Sequence, residues 1–179
     1  MKGMSDELRS NFYIDLALDR AAHLREDLDQ LTAWLEEGGA RLVPVWRTHS
    51  LVSGLEAPET VLLSPGELGW REAELSFLGL RGGAPVFAVD LSHHEEPPLN
   101  AHGEFHDLRA VGPLLDMDDG ALLAYARGIL HWQRQHRFCG ACGSATTSEQ
   151  AGHMRRCTNP GCGRLHFPRT DPAVIMAVH

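Results

Sequence analysis

The hydrophobic pattern in the first half of the chain changes from a helical to an extended period. Four leucines recur at i, i+4, i+7 and i+11 and would share one face of a helix: Leu24, Leu28, Leu31 and Leu35. Asp19 is predicted to cap this helix, and Gly38 to end it. Short apolar segments separated by glycine and proline then predict β-strands at residues 40–46, 60–63, 75–80 and 85–91. The pair Gly82 and Gly83 predicts a hairpin-type turn between the last two strands.

A second helical pattern follows a polar segment. Residues 92–107 contain proline and show no hydrophobic period, so they are predicted to form an exposed loop. A helix of about 17 residues is then predicted from Asp118 or Asp119. Its apolar face would carry Leu122, Tyr125, Ala126, Ile129 and Trp132. Because strands and helices do not alternate regularly, the pattern predicts an α+β fold with a mixed α/β N-terminal domain, and not a doubly wound sheet.

Charge divides the chain near residue 130. The 179 residues carry a formal net charge of −8, which argues against a general nucleic-acid binder. Residues 131–179 nevertheless hold six of the 16 basic residues and only two of the 24 acidic ones. This change of sign predicts a domain boundary near residue 130.

The sequence shows neither a membrane span nor a signal peptide. No apolar run approaches the roughly 18 residues that a membrane helix needs. The first 30 residues are interrupted by Asp6, Glu7, Asp15 and Asp19, so they contain no apolar signal-peptide core. A cytoplasmic location without a membrane partner is therefore expected.

All four cysteines lie close together in the basic final segment. Their spacing, C-x2-C-x14-C-x4-C, is typical of two knuckles that close one tetrahedral four-sulfur zinc site formed by Cys139, Cys142, Cys157 and Cys162. The 14 residues between the knuckles predict a short β-hairpin. Four protein ligands leave no open position for water, so the zinc would be structural. The alternatives are iron in a rubredoxin-like site, two disulfides, or reduced core cysteines.

Two segments around these cysteines carry a family resemblance. Residues 121–146, ALLAYARGILHWQRQHRFCGACGSAT, and residues 157–178, CTNPGCGRLHFPRTDPAVIMAV, resemble the NADH pyrophosphatase branch of the Nudix hydrolases. The resemblance implies an N-terminal α/β domain over residues 1–136 and a zinc ribbon over residues 137–168. It further implies that residues 169–179 begin a catalytic Nudix domain, with its first strand at residues 172–178.

The catalytic motif of that family is not found in this sequence. Nudix chemistry uses carboxylates in the pattern G-x5-E-x7-R-E-U-x-E-E-x-G-U, where U is aliphatic, to hold Mg2+ or Mn2+ beside a pyrophosphate. The only Arg-Glu-aliphatic candidate begins at Arg71. With this register the pattern requires glycine at position 57 and glutamate at positions 63, 75 and 76, but the sequence has Ala57, Leu63, Leu75 and Ser76. The chain is therefore expected to be the first part of a longer enzyme and to be inactive alone. A natural stand-alone protein is the alternative, but it would leave an apolar strand without a sheet.

The resemblance also implies an activity and partners. It implies hydrolysis of the pyrophosphate of NAD(H) to NMN(H) and AMP, with Mg2+ or Mn2+ in the full-length enzyme. Bacterial relatives also act on NAD-capped RNA, and the positive charge of residues 131–179 is compatible with that partner. A homodimer is implied by the same resemblance.

Two residues outside the cysteine cluster are candidate substrate contacts. Phe167 matches a position where the family often has an aromatic side chain against the nucleotide base, and a ring can stack on a purine. Arg109 matches a family arginine that can reach the substrate, and its guanidinium suits phosphate. The alternatives are a phenylalanine that packs within the ribbon and a solvent-exposed arginine.

Two other functions compete with the hydrolase interpretation. One is a non-enzymatic zinc-ribbon module that binds protein or nucleic acid. The other is a rubredoxin-like electron carrier, because iron and zinc share the tetrahedral four-sulfur geometry.

Overall fold

A six-stranded mixed sheet forms the centre of the N-terminal part of the molecule. The computed structural model describes residues 17–54 and 56–169. The strands are β1 Arg41–Trp46, β2 His49–Ser53, β3 Glu59–Thr60, β4 Glu74–Arg81, β5 Ala84–Asp90 and β6 Glu104–Asp107. Their order is β3-β2-β1-β5-β4, and β6 also pairs with β2. The Nudix strand predicted at residues 172–178 lies outside the described residues.

One parallel pair lies at the middle of this sheet, and antiparallel pairs surround it. Strands β1 and β5 run parallel, with Leu42 opposite Phe87. Strands β4 and β5 form the predicted hairpin, and Gly82 and Gly83 turn it with φ of 57° and 83°. Both angles fall in the left-handed region that glycine enters at little cost, so the two-glycine turn closes the hairpin.

Helices cover both faces of the sheet. The α-helices are α1 Leu28–Glu36, α2 Leu108–Val111 and α3 Met117–Gln135. Single 3-10 turns occupy Ala22–Glu26, Pro65–Glu67, Trp70–Glu72, Gly112–Leu114 and Gln150–Gly152. Strands β1 and β5 are buried on both faces, which explains their nearly continuous hydrophobic sequences.

The core is therefore divided into two clusters by the sheet. On one face, Val43 and Val86 pack with Leu122 and Ile129 of α3. On the other face, Leu42 and Phe87 pack with Leu31 and Leu35 of α1. The alternation of side chains along each strand sends neighbouring residues into different clusters. The result is the α+β architecture expected from the sequence.

The prediction of one helix beginning at Asp19 was wrong. The backbone of Asp19 instead exchanges two hydrogen bonds with that of Leu80, at 3.0 and 2.7 Å. The helical segment is interrupted at Asp27, whose carboxylate accepts a hydrogen bond from the backbone N–H of Gln30 at 3.0 Å and caps α1. Leu28 consequently lies off the buried face and is 61% exposed.

Two strands were not predicted from the sequence. Strand β2 was missed altogether, and β6 lies within the segment predicted to be a loop, where it pairs with β2. The strand predicted at residues 60–63 shortens to β3, followed by an isolated bridge between Leu63 and Leu42. The second predicted helix begins at Met117, one residue before Asp118, the earlier of its two predicted caps. The observed cap is Asp116, whose carboxylate accepts a hydrogen bond from the backbone N–H of Asp118.

The final described part is a small three-stranded antiparallel sheet. Its strands are β7 Thr146–Glu149, β8 Met154–Cys157 and β9 Leu165–His166, in the order β7-β8-β9. The hairpin predicted between the cysteine pairs is confirmed as β7 and β8. Polar side chains hold it together: Arg155 is buried and donates to the hydroxyl and carbonyl of Thr146 at 2.8 and 3.0 Å. Arg156 makes a two-bond pair with Glu149 at 2.7 and 3.0 Å.

The tip of this hairpin packs into the N-terminal part. Gln133 of α3 is buried and donates from its side-chain amide to the Ser76 hydroxyl at 2.6 Å and to the Gly152 carbonyl at 2.9 Å. The ring Nε2 of His153 lies 2.7 Å from the Phe77 carbonyl of β4. Burial, together with the nearby charges of Arg25 and Arg20, lowers the pKa of His153 to about 4 although the hydrogen bond to Phe77 opposes the shift, so the neutral ring donates this hydrogen bond. We call these contacts the ribbon junction.

Candidate metal centre

Backbone hydrogen bonds shape each cysteine pair into a tight turn. In the first turn, the Cys139 N–H donates to the Ser144 carbonyl at 2.7 Å, and the Gly143 N–H donates to the Cys139 carbonyl at 2.8 Å. In the second turn, the N–H groups of Cys162 and the following glycine both donate to the Asn159 carbonyl at 2.9 Å. These turns place the two thiols of each pair on the same side of the backbone.

The four thiols converge on one point. All four Sγ atoms lie within 4.8 Å of one another. Across the two turns, Cys139 and Cys162 are 3.9 Å apart and Cys142 and Cys157 are 3.4 Å apart, measured between sulfurs. Zn–S bonds of about 2.3 Å in a tetrahedron separate the sulfurs by about 3.8 Å. A disulfide needs about 2.05 Å, so the arrangement fits a tetrahedral metal ion and not two disulfides.

The surroundings of the thiols differ in how well they stabilise negative charge. The backbone N–H and the hydroxyl of Ser144 lower the pKa of Cys142 to about 6. The backbone N–H of Ala141 lowers the pKa of Cys139, whereas burial raises the pKa of Cys157 to about 12. A cation bound at this point would favour the thiolate of Cys157 and release its proton.

The two candidate substrate contacts lie in different depressions. Phe167 follows directly after β9, is 51% exposed and lines a groove of about 640 Å3 with Trp132 and Tyr125 of α3. Arg109 of α2 lines a separate depression of about 390 Å3 beside Arg127. We call these the Phe167 groove and the Arg109 depression. A contact of either residue with substrate stays a prediction.

Sequence reasoning missed part of the Phe167 groove. Arg20, Arg25 and His153 also line it, and the Arg20 guanidinium lies 3.8 Å from the centre of the Tyr125 ring. Trp132, which the sequence places on the apolar face of α3, is half-buried: it packs against the core and also lines this groove. No local pattern connects residues 20 and 125, and only the charge of the arginines could have marked them as candidates.

Comparison with protein families matches both parts of the chain. Residues 39–132 match the NADH pyrophosphatase-like rudimentary NUDIX domain, and residues 134–167 match the NADH pyrophosphatase zinc ribbon domain. The first match alone covers more than half of the chain. The chain belongs to the NADH pyrophosphatase family. The resemblance inferred from the cysteine turns and their flanking segments is thereby confirmed.

Relatives of this family member include bacterial and plant proteins. It is 34% identical to NAD-capped RNA hydrolase NudC of Mycobacterium tuberculosis H37Rv, an alignment that covers 100% of this chain and 56% of the relative. It is 33% identical to the chloroplastic Nudix hydrolase 19 of Arabidopsis thaliana, over 79% of this chain and 34% of the relative. The chain therefore spans between about a third and just over half of the length of these curated relatives.

The family match bears on the identity of the metal. Tetrahedral four-sulfur geometry accepts zinc or iron, so the sulfur positions do not choose between them. The matched domain family is a zinc ribbon, and the matched residues 134–167 of this chain contain all four clustered thiols. Together these observations support a structural zinc ion in this member of the family, over the rubredoxin-like alternative.

In the described residues, no helix combines the length and hydrophobicity required to cross a bilayer.

We expect purified protein to contain one zinc ion per chain, bound by Cys139, Cys142, Cys157 and Cys162. The physical reason is the four-sulfur convergence, which completes a tetrahedral shell without other ligands. Elemental analysis by mass spectrometry, with protein concentration measured independently, checks this number. Metal-free protein, or two zinc ions per chain, would contradict the ligand set, and a red protein would indicate iron.

Proposed function

We propose that this chain is the N-terminal and zinc-ribbon portion of an NAD(H) pyrophosphatase. The proposed enzyme hydrolyses the dinucleotide pyrophosphate to NMN(H) and AMP, and it also acts on NAD-capped RNA. The observation that carries the proposal is the pair of successive family matches, which together run from residue 39 to residue 167. The name of the mycobacterial relative, NAD-capped RNA hydrolase, supports RNA as the second substrate class.

The proposed role of the zinc is to position the end of the ribbon. Four thiolates would complete the coordination shell of the ion and leave no site for water, so the metal supplies structural order and no hydrolytic step. The second cysteine turn leads directly into β9, and Phe167 is the next residue after that strand. Order in the turn would therefore fix the backbone that presents the Phe167 ring.

Phe167 and Arg109 are proposed to contact different parts of the substrate. The exposed ring of Phe167 is available to stack on a base, and stacking does not require a metal ion. The guanidinium of Arg109 can form two parallel hydrogen bonds with one phosphate. Since the two residues line separate depressions, each would act on its own portion of the ligand.

The described residues do not fit the catalytic Mg2+ or Mn2+ of the proposed enzyme. Among them, the four cysteines are the one converging group of three or more metal-ligating side chains. These hard cations prefer oxygen ligands, whereas thiolates select softer metals. We therefore assign no step of pyrophosphate hydrolysis to the described residues and propose that a Nudix box elsewhere in the protein holds those ions.

We expect the 179-residue chain to release no AMP from NADH, even with millimolar Mg2+ or Mn2+. The sequence contains no Nudix spacing of glutamates, so no carboxylate cluster is available to hold the catalytic ions. The assay measures AMP by liquid chromatography, with the full-length gene product as the positive control. Turnover above the buffer blank that EDTA abolishes would show that the chain contains an active site of its own.

The proposal itself is tested in the coding sequence downstream of residue 179. A Nudix box in the same reading frame, in a protein that hydrolyses NADH, would support it. A stop codon there would overturn it and favour a non-enzymatic zinc-ribbon module that binds protein or nucleic acid.

A homodimer and a cytoplasmic location complete the proposal. Both rest on the family resemblance. Sedimentation equilibrium of the 179-residue chain tests whether this portion is sufficient for dimerisation.

A further inference from the structure

The exposed face of α3 joins two depressions into one continuous surface. The Phe167 groove and the Arg109 depression are both lined by Ala124 and Gly128. These residues lie four positions apart and therefore face the same side of the helix. Their small side chains leave the crossing between the depressions unobstructed, and we call the joined surface the α3 track.

The track is rich in arginine. The Phe167 groove is lined by three of them, Arg20, Arg25 and Arg169. The Arg109 depression adds two more, Arg109 and Arg127. Among the described residues that line the Phe167 groove there is no aspartate or glutamate. In the other depression, Arg127 lies 3.5 Å from a carboxylate oxygen of Asp107, so part of its charge is compensated. The track is thus positive in a chain whose net charge is −8.

Several polar atoms of the track are occluded from solvent without a hydrogen-bond partner in the described part of the chain. They are Arg25 Nε, the Tyr125 hydroxyl and Trp132 Nε1. All three line the Phe167 groove, and all three can donate a hydrogen bond. These occluded donors would gain acceptors only if their side chains turned toward a ligand in the groove, which would relieve the cost of leaving them unpaired.

We propose that the α3 track binds the single-stranded RNA chain of an NAD-capped RNA, with phosphates on the arginines and bases against the aromatic rings. This inference rests on the proposed function and deepens it by extending the substrate contacts proposed for Phe167 and Arg109 to the RNA chain that carries the cap. Positively charged grooves with interleaved aromatic side chains are the general means of binding single-stranded nucleic acid. Either depression alone has the volume of a small-molecule pocket, whereas their connection across Gly128 accommodates a longer polymer.

Gly128 offers a test that changes charge without disturbing packing. A Cβ added at this position meets no heavy atom within 4 Å. Any side chain introduced here also has a higher helix propensity than glycine. The variants are Gly128→Glu, Gly128→Lys and, as the neutral reference, Gly128→Ala. Gly39→Glu carries the same charge change at another exposed glycine with open space around it, outside the track.

The measurement is fluorescence anisotropy of a labelled single-stranded RNA of about 16 nucleotides with the 179-residue chain. The RNA is prepared with a 5′ NAD cap and with a 5′ monophosphate, and NAD alone is titrated as a competitor. Relative to Gly128→Ala, we expect Gly128→Glu to weaken RNA binding about tenfold and Gly128→Lys to strengthen it by a similar factor. Gly39→Glu is expected to stay within about twofold of the unmodified chain.

Salt dependence provides a second measurement. If Arg20 and Arg25 each neutralise one phosphate, the Arg20→Gln, Arg25→Gln double variant should flatten the slope of log affinity against log salt by about 1.4. Thermal unfolding of the same preparations shows whether the double variant is folded. The Gly128 series does not depend on that result.

Equal RNA affinity for the three Gly128 variants would overturn the track as an RNA site and would favour a protein partner for this face. An effect of Gly128→Glu on NAD alone, with unchanged binding of uncapped RNA, would overturn it in favour of a dinucleotide site. If the proposed function fails instead, the charge effect at Gly128 persists while capped and uncapped RNA bind equally. The two failures are therefore distinguishable.

Discussion

Replacing Cys142 by serine is expected to release the metal and unfold the ribbon at residues 137–168. Zinc supplies on the order of 10 kcal/mol to small motifs of this kind. The ribbon has few buried side chains of its own, and two of them, Cys139 and Cys157, belong to the metal cluster. The N-terminal sheet has two apolar clusters and is expected to retain a cooperative transition, with a lower midpoint because the ribbon junction is lost.

Three measurements check the Cys142→Ser result. Elemental analysis gives the zinc content, hydrogen exchange compares the amides of β8 with those of β1, and calorimetry gives the remaining transition. Ser148→Ala, at an exposed position of β7, serves as the control and should retain one zinc ion. Zinc retained by Cys142→Ser would refute the ligand set. Loss of all cooperative unfolding would refute the division of the chain at residue 136.

The second large effect is expected at the ribbon junction, where Gly152→Ala should destabilise the protein by about 3 kcal/mol or more. A Cβ at this position would lie 2.5 Å from Gln133 Nε2 and 2.6 Å from Ser76 Oγ. Both atoms belong to buried side chains that are hydrogen-bonded to each other, so neither can move without breaking that bond. The φ of Gly152 is also +92°, a conformation that alanine rarely adopts.

The control for this variant is the same substitution at a different glycine. Gly128→Ala removes a helix-interior glycine that has open space around it, so it should stabilise the protein by up to about 1 kcal/mol. Urea denaturation of both variants, at saturating zinc, gives the two free energies of unfolding. Gly152→Ala should still bind zinc, because the cysteines lie at the other end of the hairpin. Equal stabilities of the two variants would show that the hairpin tip is not packed as described.

The metal centre could be predicted from the sequence because its geometry is local. All four thiols fall within one short segment, and each pair lies in a turn that is closed by hydrogen bonds between neighbouring residues. The central strands β1 and β5 were also predictable, since burial on both faces requires continuous hydrophobic sequences.

The elements that were missed depend on distant partners. Strand β6 is polar and only partly buried, and it is extended because β2 supplies its hydrogen bonds from more than 50 positions earlier in the chain. In β2, the fully buried Ser50 breaks the expected alternation of apolar and polar residues. The first helix does not begin at Asp19 because the backbone of Asp19 pairs with that of Leu80, which no local pattern could reveal. The same holds for the contact of Arg20 with Tyr125.

The ribbon junction also sets the order in which the molecule can be completed during translation. The hydrogen bond between His153 and Phe77 joins residues 76 positions apart, so β4 leaves the ribosome long before its partner is synthesised. Until then, the Phe77 carbonyl has only water as a partner at this position, and the Gln133 amide that donates to Ser76 lacks its second acceptor, the Gly152 carbonyl. The sheet that is made first is therefore completed by a segment that is made later, and the nascent N-terminal part remains incomplete until the ribbon has emerged.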